Sequence, residues 1–451
     1  MIYWHAEQPP RRPDGHIVTT GNDGSRRYTL LVGAAVGLMV AAGAVAALAN
    51  FAGLPLAVGL GAGSGAAGFA GPLLWERRTA RRDLHQAWAH VVDAGPASDP
   101  VAAPDSLLTL LNPDRRIVPF DRRRAQQLRP LLTWCTQRQG GSVWLLAGAA
   151  GDGKTRLLVE AARRLADADW ICGWVRQGCE SAVVDVAAQW DRPVLLIVDD
   201  ADTRPDLLTL LTAVSRRRDD QVRIVVAARE FSEWWTRLRE QAPREIAAGF
   251  PAGRTDLPPL ISDLHGQQQN FTIALRAFAQ DRQVALPAAT LAPTPAPLPV
   301  VLIHAAAAVT VAGSLTGTID LDTALQQLFD LEEAWWQQRA ADSRRYGNLR
   351  TLGLPALQDT IVLAVLLGAD DLDDAAGRLR HLPGLGATND TTRQTLATWI
   401  RELYPQRAGD WLSPHLPARL VERYVAARLA ARPSLVAAIA AAALPAPGGT
   451  P

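Results

Sequence analysis

The sequence predicts a chain in three parts: an N-terminal transmembrane helical hairpin, an α/β unit on a parallel sheet with helices on both faces, and an all-α region behind it. Three observations predict this. Two long uncharged stretches stand near the N-terminus, short apolar runs alternate with helical stretches between 142 and 240, and beyond 300 helical spacing of apolar residues dominates. At 451 residues the chain is too long for one small core, and two or three domains are expected.

Residues 1–28 are polar and rich in Pro, Gly, Asp and Arg, the composition of a disordered tail. The run Thr29 to Ala49 carries no charge and as a helix would span about 31 Å, enough to cross a bilayer. After a break at 50–53, a second uncharged stretch runs from Leu54 to Trp75, with Gly59/Gly63 and Gly61/Gly65 at spacings that let helices approach closely. Arginines 26 and 27 precede the first span and Arg77, Arg78, Arg81 and Arg82 follow the second, while the turn between them is uncharged. The excess of positive charge on cytoplasmic flanks places both termini, and everything from 76 onward, on the cytosolic side of a cell membrane crossed twice. Residues 76–115 read as a juxtamembrane helix (Arg77 to Val92) and a Pro/Ala/Asp linker.

The α/β unit is expected at 116–285. Ser142 to Ala147 is a short apolar run, the pattern of a buried parallel strand. It leads into Gly148, Ala149, Ala150, Gly151, Asp152, Gly153, Lys154 and Thr155, the full G-x-x-x-x-G-K-T pattern, and Arg156 opens the helix behind it. Strand, glycine loop and helix together are the context this phosphate-binding loop needs. Glycines let successive amides point inward at phosphate oxygens, and the helix N-terminus adds a partial positive charge. The lysine would neutralise the β- and γ-phosphates of ATP or ADP, and the Thr155 hydroxyl would ligate Mg²⁺. Composition sharpens this reading: of 46 Lys and Arg, Lys154 is the single lysine. A slim ammonium threads between loop amides where a planar guanidinium is too wide.

Val194 to Val198 reads as a second buried strand, ending in Asp199 and Asp200. Asp199 is the expected Mg²⁺ carboxylate, and Asp200 stands where a carboxylate would polarise the attacking water. A third strand, Val222 to Ala227, leads to Arg229, the candidate γ-phosphate sensor. Trp170 to Val175 completes the layer. The Pro/Ala stretch 286–299 reads as a linker, and 300–445 as a helical region with helices at Leu321 to Ala341, Pro355 to Leu367, Asp371 to Leu382, Thr391 to Tyr404 and Leu416 to Ala431. In each of the pairs Trp234-Trp235 and Trp335-Trp336 one ring is expected in the core and the other nearer the surface. His304, alone in an apolar run, reads as a core histidine.

Other chemistries are not supported. The net charge of +1 and the lack of a basic block with interleaved aromatics give no indication of nucleic acid. Cys135, Cys172 and Cys179 have neither disulfide-framework nor zinc spacing and read as reduced thiols.

The elements VPF at 118–120 with its arginine-rich flank, LLTWC at 131–135, WLLAGAAGDGKTRLL, LLIVDDADTRPDLLTLL, VVAAREFSEWWTRL, LPVVLIHAAAAV, LFDLEEAWW and WIRELYP resemble the STAND class of P-loop ATPases, over about 115–440. More narrowly they resemble actinobacterial ATP-binding members related to tetratricopeptide-repeat NTPases. The resemblance implies a P-loop NTPase fold followed by helical and winged-helix domains that close over the nucleotide, and a switch between ADP-bound and ATP-bound states. It also implies that Pro299 packs against adenine. The chain departs from that pattern in having no visible period near 34 residues, and Asp rather than Glu at 200, which favours slow turnover. The expected function is a membrane-anchored, nucleotide-dependent signalling switch with slow ATP hydrolysis and an unidentified protein partner. The alternatives are a non-hydrolysing nucleotide-bound scaffold and, more remotely, a homo-oligomeric ring motor.

Overall fold

The computed structural model describes residues 81–94, 106–137, 141–217, 221–244, 251–295, 297–313, 315–404 and 411–444. The tail at 1–28 and the hairpin at 29–75 lie outside the described residues. Among those described, no single helix is long and apolar enough to cross a membrane.

The α/β unit is a six-stranded sheet of order β1-β3-β4-β5-β2-β6. Its strands are β1 (Val92–Ala94), β2 (Val143–Ala147), β3 (Ile171–Val175), β4 (Val194–Val198), β5 (Val222–Ala228) and β6 (Gly253–Asp256). All neighbours pair in parallel except β1, which runs antiparallel to β3 with Val92 opposite Val175. The central strands β2, β4 and β5 are buried at every position, which explains their continuous apolar sequences. β6 pairs parallel to β2 on the outer edge and carries Arg254 and Asp256 exposed.

Helices α1 (Ala125–Thr136), α2 (Lys154–Ala166), α3 (Val183–Ala187), α4 (Leu207–Arg216) and α5 (Glu233–Gln241) accompany the sheet. One face is sealed by Leu128, Leu131, Trp134, Leu157 and Leu158 against Trp144, Leu195 and Val225. Trp134 and Trp144 meet at 5.3 Å between ring centroids, and the Arg223 guanidinium lies 5.1 Å from the Trp134 ring, so its charge is set against a π face.

The rest is mainly helical: α6 (Leu264–Asp281), α7 (Val300–Ala312), α8 (Leu321–Ala340), α9 (Leu354–Leu367), α10 (Leu372–Leu379), α11 (Asp390–Leu403), α12 (Ala418–Ala431) and α13 (Ser434–Ala442). Short polar side chains start several of them. Asp263, Asp320, Asp371 and Asn389 each accept from an amide three residues on, satisfying donors that an uncapped end would leave open. Buried α7 is Ala/Val-rich on all sides and packs between α6 and α8.

The buried Glu332 carboxylate of α8 accepts hydrogen bonds from Ser106 Oγ at 3.0 Å, Leu108 N at 2.8 Å and Tyr404 Oη at 3.0 Å. Burial pushes this carboxyl upward and those donors oppose the shift. The network ties the short helix Leu107–Leu110 to the helical core. A second tie is Asp359 of α9, fully buried, which accepts from Arg428 at 2.8 Å and pairs with Arg432. Losing one side of such a buried pair costs about 3–5 kcal/mol.

Several expectations need correction. The stretch expected to be a linker after the juxtamembrane helix contributes β1 to the sheet and Leu107–Leu110 to the helical core. The Pro/Ala stretch 286–299 is not a plain linker: it holds β7 (Ala289–Leu291), paired in parallel with β8 (Gly317–Ile319), so the region behind the sheet is not purely α. α6, counted with the α/β unit from sequence, packs chiefly on α7. Trp235 and Trp336 are buried while Trp234 and Trp335 are half-buried, as expected of each pair. All three cysteines are free thiols.

Candidate functional site

The carboxyl ends of β2, β4 and β5 deliver one residue set to a common crevice, the usual ligand position in an open parallel sheet. After Ala147 the chain turns through Gly148, whose amide donates to Ala228 O and Arg229 O at 3.3 and 3.2 Å, fastening the loop to the tip of β5. Gly151 and Gly153 take φ of +85° and +91°, a region that costs a side chain energy, and Gly153 caps α2. Lys154, 7% exposed, turns its ammonium inside the loop and donates to Gly148 O at 2.7 Å and Ala149 O at 3.3 Å.

Thr155, one residue on, donates its hydroxyl to Asp199 Oδ2 at 2.7 Å. The other Asp199 oxygen accepts from the Asp200 amide at 3.1 Å, and Asp200 itself is left-handed at φ +50°. Burial raises the Asp199 carboxyl first and the adjacent Asp200 charge raises it further; the Thr155 hydroxyl and the Lys154 ammonium oppose both. A hydroxyl and a carboxylate oxygen converging at this distance are hard donors of the kind Mg²⁺ takes, completed in such sites by phosphate oxygens and water. Among the described residues no cluster of three or more His, Cys, Asp and Glu could hold a metal alone.

These residues edge a cavity of about 540 Å³. It is lined by Ala150 to Arg156, by Asp199, Asp200 and Arg229, and by Ile117, Val118 and Phe120. Behind them Val300, Val301 and His304 of α7 and His415 to Arg419, entering α12, close the space. The volume and the mix of apolar wall and convergent polar groups suit a nucleotide-sized ligand.

Two arginines shape it. Arg124 is buried and forks onto two main-chain oxygens, Pro258 O and Asp152 O, each at 2.8 Å. It thereby pins the loop's crest to the chain leaving β6. Arg156 lies 5.5 Å from the Phe120 ring centroid and 3.7 Å from Glu160, and its Nη1 is buried without a hydrogen-bond partner. That orphaned donor beside an aromatic wall fits a ligand with acceptor atoms and a flat ring. His304, read from sequence as a core residue, is half-buried and lines the cavity. Burial, with the Arg156 charge adding to it, lowers its pKa to about 4.

The remaining candidates fall as follows. Asp152 is buried, and burial raises its carboxyl against the opposing charges of Arg124 and Lys154. Ala149 lies at the base of the loop, where its carbonyl accepts from Lys154. Pro299 stands at the start of α7 over the loop's crest: a Cβ on Gly151 would lie 3.1 Å from Pro299 Cβ. Its successors Val300 and Val301 face the cavity. Arg229, at the tip of β5, lines the cavity and is ion-paired with Glu422 of α12. Sequence reasoning missed Phe120, Arg124, His304 and Glu422; for Arg124 the arginine run 122–124 was the one visible signal.

Residues 116–241 match the model of the family described as novel STAND NTPase 5. No curated protein matches the chain. Among solved structures the chain is similar to the Walker-type ATPase PABY2304 of Pyrococcus abyssi, at 11% identity over 67% of this chain and 95% of that one, TM-score 0.32. It is also similar to the Aeropyrum pernix ORC2 protein solved in ADPNP–ADP complexes, at 15% identity over 70% and 98%, TM-score 0.32. A third is Cdc6p from Pyrobaculum aerophilum, at 12% identity over 78% and 99%, TM-score 0.30. At these scores none of them bears on substrate or partners.

Proposed function

From the match of residues 116–241 to the STAND NTPase family model, we propose that the chain is a membrane-anchored, nucleotide-dependent signalling switch that binds ATP or ADP and hydrolyses ATP slowly. The observation that carries the reading is the meeting of Thr155 and Asp199 at 2.7 Å, next to Lys154, in a cavity whose far side is built by α7 and α12. The loop amides and Lys154 hold the β- and γ-phosphates, as a ring of fixed donors holds an anion. Thr155 and Asp199 hold Mg²⁺, which when bound neutralises charge on the phosphate oxygens. Asp200 takes the proton of the attacking water, and its short reach keeps turnover slow. Because helices from the C-terminal region line the same cavity, a change of nucleotide alters their docking, and that altered docking is the signal passed to a protein partner. The hairpin at 29–75 sets where this happens, at the cytoplasmic face of a bilayer.

The test is to purify the full chain from membranes, denature it and identify the nucleotide released, then to follow phosphate release with added ATP and Mg²⁺. Near-stoichiometric ADP or ATP and slow turnover are expected. Tight ADP with no phosphate release under any condition would make the chain a nucleotide-bound scaffold. No bound nucleotide and no affinity for one would sink both readings.

A further inference from the structure

Arg229 and Glu422 lie 193 residues apart in sequence, yet the guanidinium donates to Glu422 Oε1. The other carboxylate oxygen stands 3.6 Å from Arg419 Nη1. One anion is thus shared by two cations, and both arginines line the cavity that Thr155, Asp199 and Asp200 also edge. The arrangement is tied to the loop from two directions. Gly148 N donates to Arg229 O at 3.2 Å, and a Cβ on Gly151 would lie 3.4 Å from Arg419 Cβ. The first turn of α12 therefore sits over the loop's crest while Glu422 reaches the tip of β5.

Guanidinium groups take carboxylate and phosphoryl oxygens with the same forked donor geometry, so a carboxylate on Arg229 uses the donors that a terminal phosphoryl group would need. A nucleoside diphosphate stops one phosphoryl group short of that contest. We infer that Glu422 is a specificity-determining residue: its carboxylate stands in for a third phosphate at Arg229, so that the site favours nucleoside diphosphate and a triphosphate must displace Glu422 to engage the arginine. This rests on the nucleotide reading of the cavity.

The experiment uses the full chain as wild type, Glu422→Gln, Arg229→Gln and the double variant. Affinities for ADP and for the non-hydrolysable ATP analogue AMP-PNP are measured with Mg²⁺, and Lys154→Ala serves as the control for the site. With the pair half-exposed, Glu422→Gln is expected to improve the AMP-PNP affinity relative to ADP by about twofold to fivefold. ADP affinity should stay within about twofold of wild type, by the same weak coupling. In the Arg229→Gln background the Glu422 change should no longer move the ratio, because the contested cation is gone. An unchanged ratio, an equal loss of both affinities, or an effect that persists without Arg229 overturns the inference. Wild-type protein that binds neither nucleotide overturns the underlying site instead.

Discussion

Replacing Gly151 by alanine isolates the contact between the phosphate loop and the helical region, because Gly153 supplies a matched control. Both glycines have left-handed φ, +85° and +91°. Placing an L side chain there costs about 1–2 kcal/mol in either case. Their surroundings differ. A Cβ at Gly153 meets nothing within 4 Å, whereas at Gly151 it would lie 2.7 Å from Val301 Cγ1 and 3.1 Å from Pro299 Cβ, both at the start of α7. Val301 also donates its amide to Gly151 O at 3.3 Å, so that helix end cannot retreat without losing a hydrogen bond. Relief of such an overlap in packed surroundings costs about 1–3 kcal/mol. Gly153→Ala should therefore lower the unfolding free energy of the full chain by about 1–2 kcal/mol and Gly151→Ala by about 2–5 kcal/mol. Denaturant titration followed by tryptophan fluorescence reads the difference, and amide hydrogen exchange at 299–304 and 416–422 reads its location. Equal losses in the two variants, with unchanged exchange in those segments, would refute the docking of α7 on the loop.

Three further outcomes follow from the site. Lys154→Ala removes the one ammonium in the loop and should weaken ADP and ATP binding by about ten- to a hundredfold, the worth of one charged hydrogen bond; calorimetry showing wild-type affinity would refute the phosphate role. Asp200→Asn keeps a residue type that tolerates left-handed φ, so nucleotide affinity should hold while phosphate release falls by about a hundredfold; undiminished turnover would remove Asp200 from the chemistry. His304 is lowered from 6.5 to about 4, so between those values the unfolded chain binds a proton that the folded chain refuses. Stability contributed by this group is whole above pH 6.5 and falls as pH drops toward 4, because ∂ΔG/∂pH is positive where the unfolded state holds more protons. His304→Gln should flatten that part of the profile, measured as denaturant midpoint against pH, and identical slopes in both proteins would contradict the assignment.

What was legible in the sequence is what local pattern encodes. The loop from Gly148 to Thr155 could be read because its geometry demands glycine and lysine at fixed spacing, and β4 because burial on both faces forces an unbroken apolar run. β1 and β6 escaped because edge strands need no such run: Val-Asp-Ala and Gly-Arg-Thr-Asp carry no periodic signal. β7 was hidden in a Pro/Ala stretch whose composition resembles a linker, although Leu291 is buried and its neighbours pair with 317–319. The far wall of the cavity was illegible for another reason. Phe120, His304 and Glu422 belong to segments that only the tertiary arrangement brings together, and no spacing rule connects Arg229 to a glutamate in the last third of the chain. His304 misled in particular, because the apolar run around it buries most of α7 while His304, with Val300 and Val301, opens on the cavity.

The solitary lysine has a practical corollary. Its ε-amine is packed among the loop's own carbonyls at the bottom of the cavity, and every other basic side chain of the Lys/Arg kind is a guanidinium that common acylating reagents ignore. Apart from the α-amino group, any stable amide adduct on the intact protein must therefore sit at this one place, since esters formed on thiols or phenols are removed by hydroxylamine. A second increment in whole-protein mass, beyond the one at the α-amino group, then reports whether the loop is covered, with no need to digest the chain and search for the modified peptide.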